Sequence, residues 1–474
     1  MTTKIYFVLL FITLSKSICS QTQLDWLGNI LVEDTSWSAK GNYHTSIYPS
    51  FKNDNSVNGF QISSKLQLVP LTDIGIQFDG NLNYRAAIGA AFELKNAKHF
   101  YYRIGGLIGY QEKDSLFDAK SKEINSNLYV NPLIRLGYKA KRFFDAQIGY
   151  DKNFIGDGNR SLFLSDYGKP YPFAKINANF WHVNYSILYQ FYNEKVEDKN
   201  RSKFSATHHV SWNATRWWNF SIFETVMFQP RDTMLNRGFD VEYLNPIVFY
   251  RPQEFSIGSS DNVILGISSS YKWNRNMIYG QFVIDDILVK EAFKRSGWWG
   301  NKLAWQLGWK TYLKYKSKLI KLRIESNCVR PYTYSHANNL ANYGNDNSVL
   351  AHPLGSNFGE ILLDVSSQFD KFYFKVFIST GLFGFDKDDK NYGTNIYTPY
   401  INRPYDINCR IGQGKRNYFV LLNLHAAYNL LKEGNIYAFA ETQFRYDSAV
   451  QGAKFKLIPT IGIRSYLWND YRNY

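Results

Sequence analysis

The chain has 474 residues, a formal net charge of +15 and an aromatic content of 18%, with 36 tyrosines, 35 phenylalanines and 12 tryptophans. Three cysteines in so long a chain exclude a fold held together by a disulfide framework. Beyond the N-terminal segment no apolar run reaches the roughly 18 residues of a membrane-spanning helix, which excludes a helical inner-membrane protein.

Residues 1–20 have the layout of a secretory signal peptide. Lys4 precedes an apolar run from Ile5 to Leu14, and the small residues Ser17 and Ser20 follow, which predicts cleavage near Ser20. The run is too short to span a bilayer, and the residues before Cys19 do not favour lipidation. Removing Lys4 and Lys16 lowers the formal charge by two, to +13. We therefore predict an exported protein.

Residues 21–57 form an irregular segment for which the sequence leaves a periplasmic and a lumenal position open. From residue 58 to 474 the pattern is an alternation of apolar and polar residues with period two. In KLIKLRIES, for example, Ile320, Leu322 and Ile324 share one face and Lys321, Arg323 and Glu325 the other. Each such segment is predicted to be a strand with one apolar and one wet face.

Segment length decides between the classes of β protein. The segments run about 9 to 13 residues, which matches tilted membrane strands, whereas soluble strands have about 5 or 6. Short turns, as at Asp370–Lys371, alternate with longer polar connections around 111–125, 152–172, 194–202, 229–260, 329–357 and 383–415. A soluble sandwich or propeller is disfavoured by strand length and by the lack of a fixed repeat. The fold predicted is an all-β transmembrane antiparallel barrel of about 18 strands with long extracellular loops, located in the outer membrane.

The sequence does not point to catalysis, metal binding or a cofactor. GDGNRSLFLSDYGKPYPF, at 156–173, lacks the lysine of a phosphate loop and the spacing of a nucleophile elbow, so we interpret it as a glycine turn in a surface or lumenal loop. DKDDKNYG, at 386–393, has Lys390 where a calcium loop needs an oxygen ligand. The histidines have no Cys or acid at metal-ligand spacing.

Two further features have simple structural interpretations. Asp285 and Asp286 are adjacent on a strand and point to opposite faces, so Asp285 is predicted to face the lumen and pair with a basic side chain. The adjacent His208 and His209 are likewise expected on opposite faces. Basic residues are scattered rather than clustered, which argues against nucleic acid and favours contact with anionic lipopolysaccharide or acidic polysaccharide.

Several segments resemble a known family. NFIGDGNRSLFLSDYGKPYPFAKI is similar to the glycine-rich segment of Wzi-like capsule-assembly barrels, and VRPYTYSHANNLANYGNDNSVLAHPLGSNFGE to segments of their Bacteroidota gliding-motility branch, the RemB-like proteins. FVIDDI and GWWGNKLAWQLGWK resemble that family too, although Asn345–Asn347 departs from its pattern.

The resemblance implies an 18-stranded outer-membrane barrel that binds or organises surface polysaccharide, or supports adhesion and gliding, without catalysis. Action through gliding or adhesin proteins and a porin-like channel are the alternatives. The resemblance implies polysaccharide contacts in outward loops, a role carried over only to the matching segments 156–173 and 330–358. Because 330–358 lies between two predicted strands, we interpret it as a lid or recognition loop. Asp285 belongs to FVIDDI, and pairing of Cys328 with Cys409 is left open. The candidate ligand-binding residues are Asp157, Asn159, Arg160, Asp166, Tyr167, Asp285, Arg330, Tyr332, Tyr334, His336, His352 and Asn357.

Overall fold

The structure is a computed structural model that describes the chain from residue 60 to 465 with gaps. The described ranges are 60–61, 66–94, 99–111, 122–123, 127–140, 143–196, 199–230, 238–239, 241–245, 261–315, 318–431, 436–449 and 455–465. The predicted signal peptide and the predicted segment at 21–57 lie outside the described residues.

Eighteen long antiparallel strands of 8 to 15 residues form one sheet among the described residues. They are β1 (Leu66–Phe78), β2 (Leu82–Leu94), β3 (Phe100–Gln111), β4 (Leu128–Ala140), β5 (Phe144–Asp151), β6 (Tyr171–Phe180), β7 (Val183–Val196), β8 (Lys199–Asn213), β9 (Trp218–Phe228), β10 (Asn262–Trp273), β11 (Asn276–Asp286), β12 (Lys302–Tyr315), β13 (Lys318–Val329), β14 (Phe358–Phe369), β15 (Phe372–Phe385), β16 (Lys415–Asn429), β17 (Ile436–Asp447) and β18 (Phe455–Ser465).

The sheet closes on itself. Each strand pairs with its neighbour in the chain, and β1 pairs with β18 in the register Asp73↔Arg464 to Gln77↔Thr460. Two-residue strands at Phe60–Gln61 and Lys122–Glu123 pair antiparallel with β1 and β4. Closure gives the backbone N–H and C=O groups of both edge strands hydrogen-bond partners, which a sheet surrounded by lipid needs because no water is available there. The predicted barrel and its strand number are confirmed.

The outward face is apolar because the period-two pattern points one set of side chains to lipid. Ile88, Leu307 and Ile461 are 63%, 63% and 60% exposed, whereas the inward neighbour Gln306 is buried. Exposed rings form a band at each end of the wall, as at a lipid–water interface. They are Trp181, Trp217, Trp218, Tyr271, Tyr315 and Phe372 at the short-turn end and Phe78, Tyr84, Tyr418 and Phe455 at the other.

The inward face carries paired charges. Arg103 bonds to Glu93, Arg135 Nη2 lies 3.1 Å from Asp151 Oδ2, and Arg85 Nη2 lies 2.8 Å from Asp73 Oδ1. The predicted partner of Asp285 is present, since Lys302 Nζ lies 3.7 Å from its Oδ2. Charges taken out of water are tolerated when each has an opposite partner, so the wet face is a polar lumen ladder.

Long and short connections alternate between the two ends of the barrel. Asn274–Arg275 and Asp370–Lys371 are tight turns at one end, and the long-loop end carries 152–170, 330–357 and 386–414, here called loops A, B and C. The long connection expected at 194–202 is wrong. β7 runs to Val196 and β8 begins at Lys199, so this stretch is mostly strand that extends past its neighbours.

Loops A and B fold into the lumen, where the largest apolar core lies. Leu162, Phe163 and Leu164 of loop A pack there with Tyr334, Tyr343 and Leu350 of loop B and with inward side chains of the wall such as Phe223 and Phe358. Ile396 of loop C joins the same core. Loops A, B and C together are called the plug. Among the described residues, no helix is long and apolar enough to cross a membrane.

Candidate functional site

The tip of loop A crosses the lumen and binds the carboxylate of Glu325 on β13. The backbone N–H groups of Asn159 and Arg160 donate to Glu325 Oε2 and Oε1 at 2.7 and 3.1 Å. Tyr279 Oη and Asn327 Nδ2 donate to the same carboxylate at 2.7 and 3.0 Å. Charge-assisted bonds of this kind are about twice as strong as neutral ones, so Glu325 is the main attachment of loop A to the wall.

Glycine is required beside this carboxylate. A Cβ on Gly158 would lie 2.4 Å from Glu325 Oε2 and 2.5 Å from the carbonyl oxygen of Arg160. The close approach of the backbone to the carboxylate therefore excludes any side chain at this position. The Gly-x-Gly of 156–158, interpreted from the sequence as a turn in a surface or lumenal loop, lies in the lumen.

Neighbouring wall residues hold the rest of the loop A tip. Gln281 Oε1 accepts from the N–H of Leu162 at 2.8 Å, and Gln306 Nε2 donates to the carbonyl of Arg160 at 3.0 Å. Lys310 Nζ donates to the Asp157 carbonyl at 3.0 Å and lies 3.8 Å from its carboxylate. The buried backbone of a loop needs such partners when no sheet supplies them.

A second buried carboxylate, Glu360 on β14, joins loops A and B. His352 Nδ1 accepts from the N–H of Leu354, so its Nε2 carries the proton and donates to Glu360 Oε2 at 2.8 Å. Arg160 Nε lies 4.0 Å from the same Oε2. An imidazole whose Nδ1 accepts is neutral, and burial lowers the pKa of His352 below its ordinary value against the opposing effect of Glu360.

Two tyrosines of loop B have left-handed backbones. Tyr332 and Tyr334 have φ of 67° and 71°, a conformation that costs about 1 kcal/mol or more for residues other than glycine. The N–H of Tyr334 donates to Asp285 Oδ2 at 2.8 Å, and its Oη donates to the Leu162 carbonyl at 2.8 Å. Tyr332 Oη donates to the Asn391 carbonyl at 2.9 Å. Contacts at both ends of these side chains hold the strained turn.

Loops A and B are also bonded directly to each other. The N–H of Ser165 donates to the Leu350 carbonyl at 2.7 Å, and its hydroxyl donates to the Ala351 carbonyl. Tyr343 Oη donates to the Phe163 carbonyl at 2.8 Å. Asp166 and Tyr167, which follow in loop A, are 2% and 9% exposed. The two loops form one body.

Asn357 binds loop B to loop C. Its Oδ1 accepts from the N–H groups of Gly412 and Gln413 at 2.8 and 3.2 Å. Its Nδ2 donates to the Gln413 carbonyl and to Thr394 Oγ1, both at 3.0 Å. A single amide that serves five partners, including the Tyr392 carbonyl at 3.3 Å, fixes the junction of the two loops.

Arg330 and His336 lie nearer to solvent. Arg330 Nε and Nη2 donate to the carbonyls of Asn301 and Trp298 at 2.8 and 3.2 Å. Partial burial lowers the pKa of Arg330 from its ordinary value. His336 Nδ1 accepts from the N–H of Asn338 at 3.2 Å. The side chain of Arg330 thus ties loop B to the connection between β11 and β12.

The structure gathers the sequence-predicted residues in and around the plug, but most are buried. Asn159, Arg330 and His336 are half-buried, and the other nine are 9% exposed or less. Buried side chains bonded within the protein position the loops rather than face a ligand. Sequence reasoning missed Glu325, Glu360, Gln281 and Gln413, of which the first three could have been suspected from their inward strand positions.

The two cysteines of the described chain are free thiols, so the disulfide left open by the sequence is not formed. Burial raises the pKa of Cys409 to about 11. In 386–393, Asp386 Oδ1 accepts from the N–H of Tyr392 at 2.6 Å, and Asp388 Oδ2 lies 3.5 Å from Lys387 Nζ. Among the described residues, no group of three or more His, Cys, Asp or Glu side chains is placed to hold a metal ion.

A closed barrel with an apolar outer belt, two aromatic bands and a polar inner face is an outer-membrane β-barrel, and the protein is an outer-membrane protein. The architecture is similar to that of Wzi from Escherichia coli, described as a carbohydrate-binding β-barrel involved in group 1 capsule assembly. The two share 10% identity over 85% of each chain, with a TM-score of 0.58. At that identity the likeness shows the fold.

Solved structures of other outer-membrane proteins match more distantly. OprD of Pseudomonas aeruginosa shares 12% identity over 86% of this chain and 97% of its own, with a TM-score of 0.44. OccK2 of Pseudomonas aeruginosa, solved with glucuronate, shares 8% over 86% of this chain and 100% of its own, also with 0.44. No protein-family profile matches the chain, and no curated protein matches it.

Proposed function

We propose that the protein binds surface polysaccharide at the outer face of the outer membrane, with loops A, B and C as the binding surface and the barrel as a rigid support. The observation that carries the proposal is the plug. Glu325, Glu360 and Asn357 bond loops A, B and C to the wall and to one another, so the loops form a fixed surface. A preorganised surface loses little conformational entropy when it binds a ligand.

The same observation weighs against the porin-like alternative. A solute channel needs an aqueous path along the axis, and here the apolar core of loops A and B lies in the lumen. The polar tip of loop A is bonded to inward side chains of β11, β12 and β13. A path through this region would require the plug to leave buried hydrogen-bond partners behind.

The fold similarity to Wzi supports the polysaccharide as ligand, because that barrel is described as carbohydrate binding. The resemblance of 330–358 to the gliding-motility branch extends the proposal to adhesion and gliding, in which a barrel that holds polysaccharide would attach it to the cell. Catalysis is not part of the proposal.

A deletion strain provides the test. Loss of surface polysaccharide retention, restored by the wild-type gene, is the expected result. Normal retention together with normal adhesion and spreading would refute the proposal. Conductance of the purified protein in a planar bilayer tests the porin-like alternative, since a steady, large conductance would support a channel.

A further inference from the structure

Three connections meet at the long-loop end beside the plug. The N–H of Trp299, between β11 and β12, donates to the Asp406 carbonyl of loop C at 2.8 Å. The N–H groups of Asn408 and Cys409 donate back to the carbonyls of Ser296 and Gly297 at 2.8 Å. Loop B reaches the same place through Arg330, which binds the Trp298 carbonyl. These hydrogen bonds fix the backbone of the three connections relative to one another.

Aromatic and basic side chains cover this junction. Trp298 and Trp299 have ring centroids 5.7 Å apart, and Trp299 and Tyr400 4.7 Å apart. The guanidinium carbon of Arg403 lies 4.0 Å from the centroid of the Trp299 ring. These four side chains and Arg330 are all half-buried. They are called the rim cluster.

The Trp298 ring packs against the backbone at Gly300. A Cβ on Gly300 would lie 2.5 Å from Cη2 of the Trp298 ring, so the indole rests directly on this backbone. A ring held in this way and still half-exposed is a preorganised stacking surface. Sugar C–H groups pack on the electron-rich face of an indole, and rigid aromatic rings bind at a low entropy cost.

Two guanidinium groups lie in the rim cluster, and further basic side chains precede it in the chain. Arg403 Nε bonds to Asp406 Oδ1 at 2.5 Å, whereas Arg330 donates to two backbone carbonyls, those of Asn301 and Trp298. A short helix, α1 (Val289–Lys294), precedes the junction and adds exposed Lys290, Lys294 and Arg295 against Glu291. Exposed cations at one mouth raise the local concentration of anionic ligands and speed their association.

We infer that the rim cluster is a binding site for a carboxylated polysaccharide, in which sugar rings stack on Trp298 and the sugar carboxylates pair with Arg403 and Arg330. Planar guanidinium groups bind carboxylates through two parallel hydrogen bonds, which Lys side chains do not. The inference rests on the proposed function and adds the place and the charge of the ligand.

The test uses full-length protein in nanodiscs and measures binding of polygalacturonate, dextran, lipopolysaccharide and polysaccharide purified from the strain's own surface. We expect polygalacturonate to bind, dextran to bind at least about tenfold more weakly, and the polygalacturonate affinity to fall with rising salt. Trp298→Ala and Arg403→Gln should each weaken polygalacturonate binding about tenfold or more. Trp217→Ala, an exposed tryptophan at the short-turn end, is the matched control and should not change it.

The outcomes are distinguishable. Equal binding of dextran and polygalacturonate overturns the charge selectivity and leaves the proposed function standing if the strain's polysaccharide also binds. Unchanged polygalacturonate affinity in both rim variants overturns the site. Binding of lipopolysaccharide alone overturns the ligand class, and binding of no polysaccharide overturns the proposed function as well. Gel mobility of folded and heated samples shows that each variant retains the barrel.

Discussion

Glu325→Ala is predicted to release loop A from the wall of the barrel. The substitution removes the acceptor of four buried donors, the N–H groups of Asn159 and Arg160, Tyr279 Oη and Asn327 Nδ2. Two of these donors, the N–H groups of Asn159 and Arg160, belong to loop A. A hydrogen bond to a charged group contributes about 1.5–3 kcal/mol, which sets an upper limit of about 3–6 kcal/mol for the loss of loop A docking. Water that enters the space left by the side chain restores part of this loss.

We therefore expect loop A docking to lose about 3 kcal/mol, which multiplies the undocked fraction of the loop by about 150. Two assays report on it. Amide hydrogen exchange of 155–164 should accelerate in the variant while that of β13 stays slow, since local opening sets the exchange of loop amides. Planar-bilayer recordings should show intermittent conductance in the variant that is infrequent or absent in the wild type.

Glu441→Ala is the control, because this carboxylate is also buried on the inner wall and accepts from His425 of the neighbouring strand at 3.0 Å. It should change the stability of the wall without changing exchange in 155–164. Unaltered exchange of loop A in Glu325→Ala, with the barrel folded, would refute the role given to Glu325.

Three further predictions concern the plug. Gly158→Ala should destabilise loop A docking, because the added Cβ would lie 2.4 Å from Glu325 Oε2. Gly168→Ala should be tolerated, because its Cβ would lie 3.5 Å from the nearest atom. Hydrogen exchange of loop A amides compares the two variants, and equal effects would contradict the steric argument. Because burial lowers the pKa of His352, the contribution of the neutral imidazole to stability is complete above the unfolded pKa of about 6.5 and is lost as the pH falls through the lower folded pKa. After correction for the base-catalysed intrinsic rate, amides 350–357 should therefore exchange faster at pH 5 than at neutral pH. A His352→Gln variant should flatten that pH dependence. Cys409, 2% exposed and with its pKa raised to about 11, should resist alkylation at pH 8 in the folded protein and react after unfolding, as mass spectrometry would show.

The wall could be predicted from the sequence because lipid imposes a strict rule on it. Every outward position must be apolar and every strand long enough to cross, so Ile320, Leu322 and Ile324 against Arg323 and Glu325 identify a strand without further context. The error at 194–202 has a physical reason. Strands that extend beyond the membrane face water on both sides, so Lys199–Ser202 has the composition of a loop.

The plug could not be predicted because it depends on contacts across a closed barrel. Glu325 and Glu441 look alike in the sequence, since both are inward glutamates in alternating strands. Only the three-dimensional arrangement places the loop A tip on the first and His425 beside the second. His336 and His352 likewise fall in one loop, yet the first is half-buried and the second is fully enclosed against Glu360.

We propose that loops A, B and C of this barrel bind surface polysaccharide. The most direct measurement is a binding isotherm of polysaccharide purified from the strain's own surface on full-length protein in nanodiscs. We predict saturable binding that is competed by soluble polysaccharide and absent from empty nanodiscs. Binding no greater than that of empty nanodiscs, with the barrel folded, would contradict the claim.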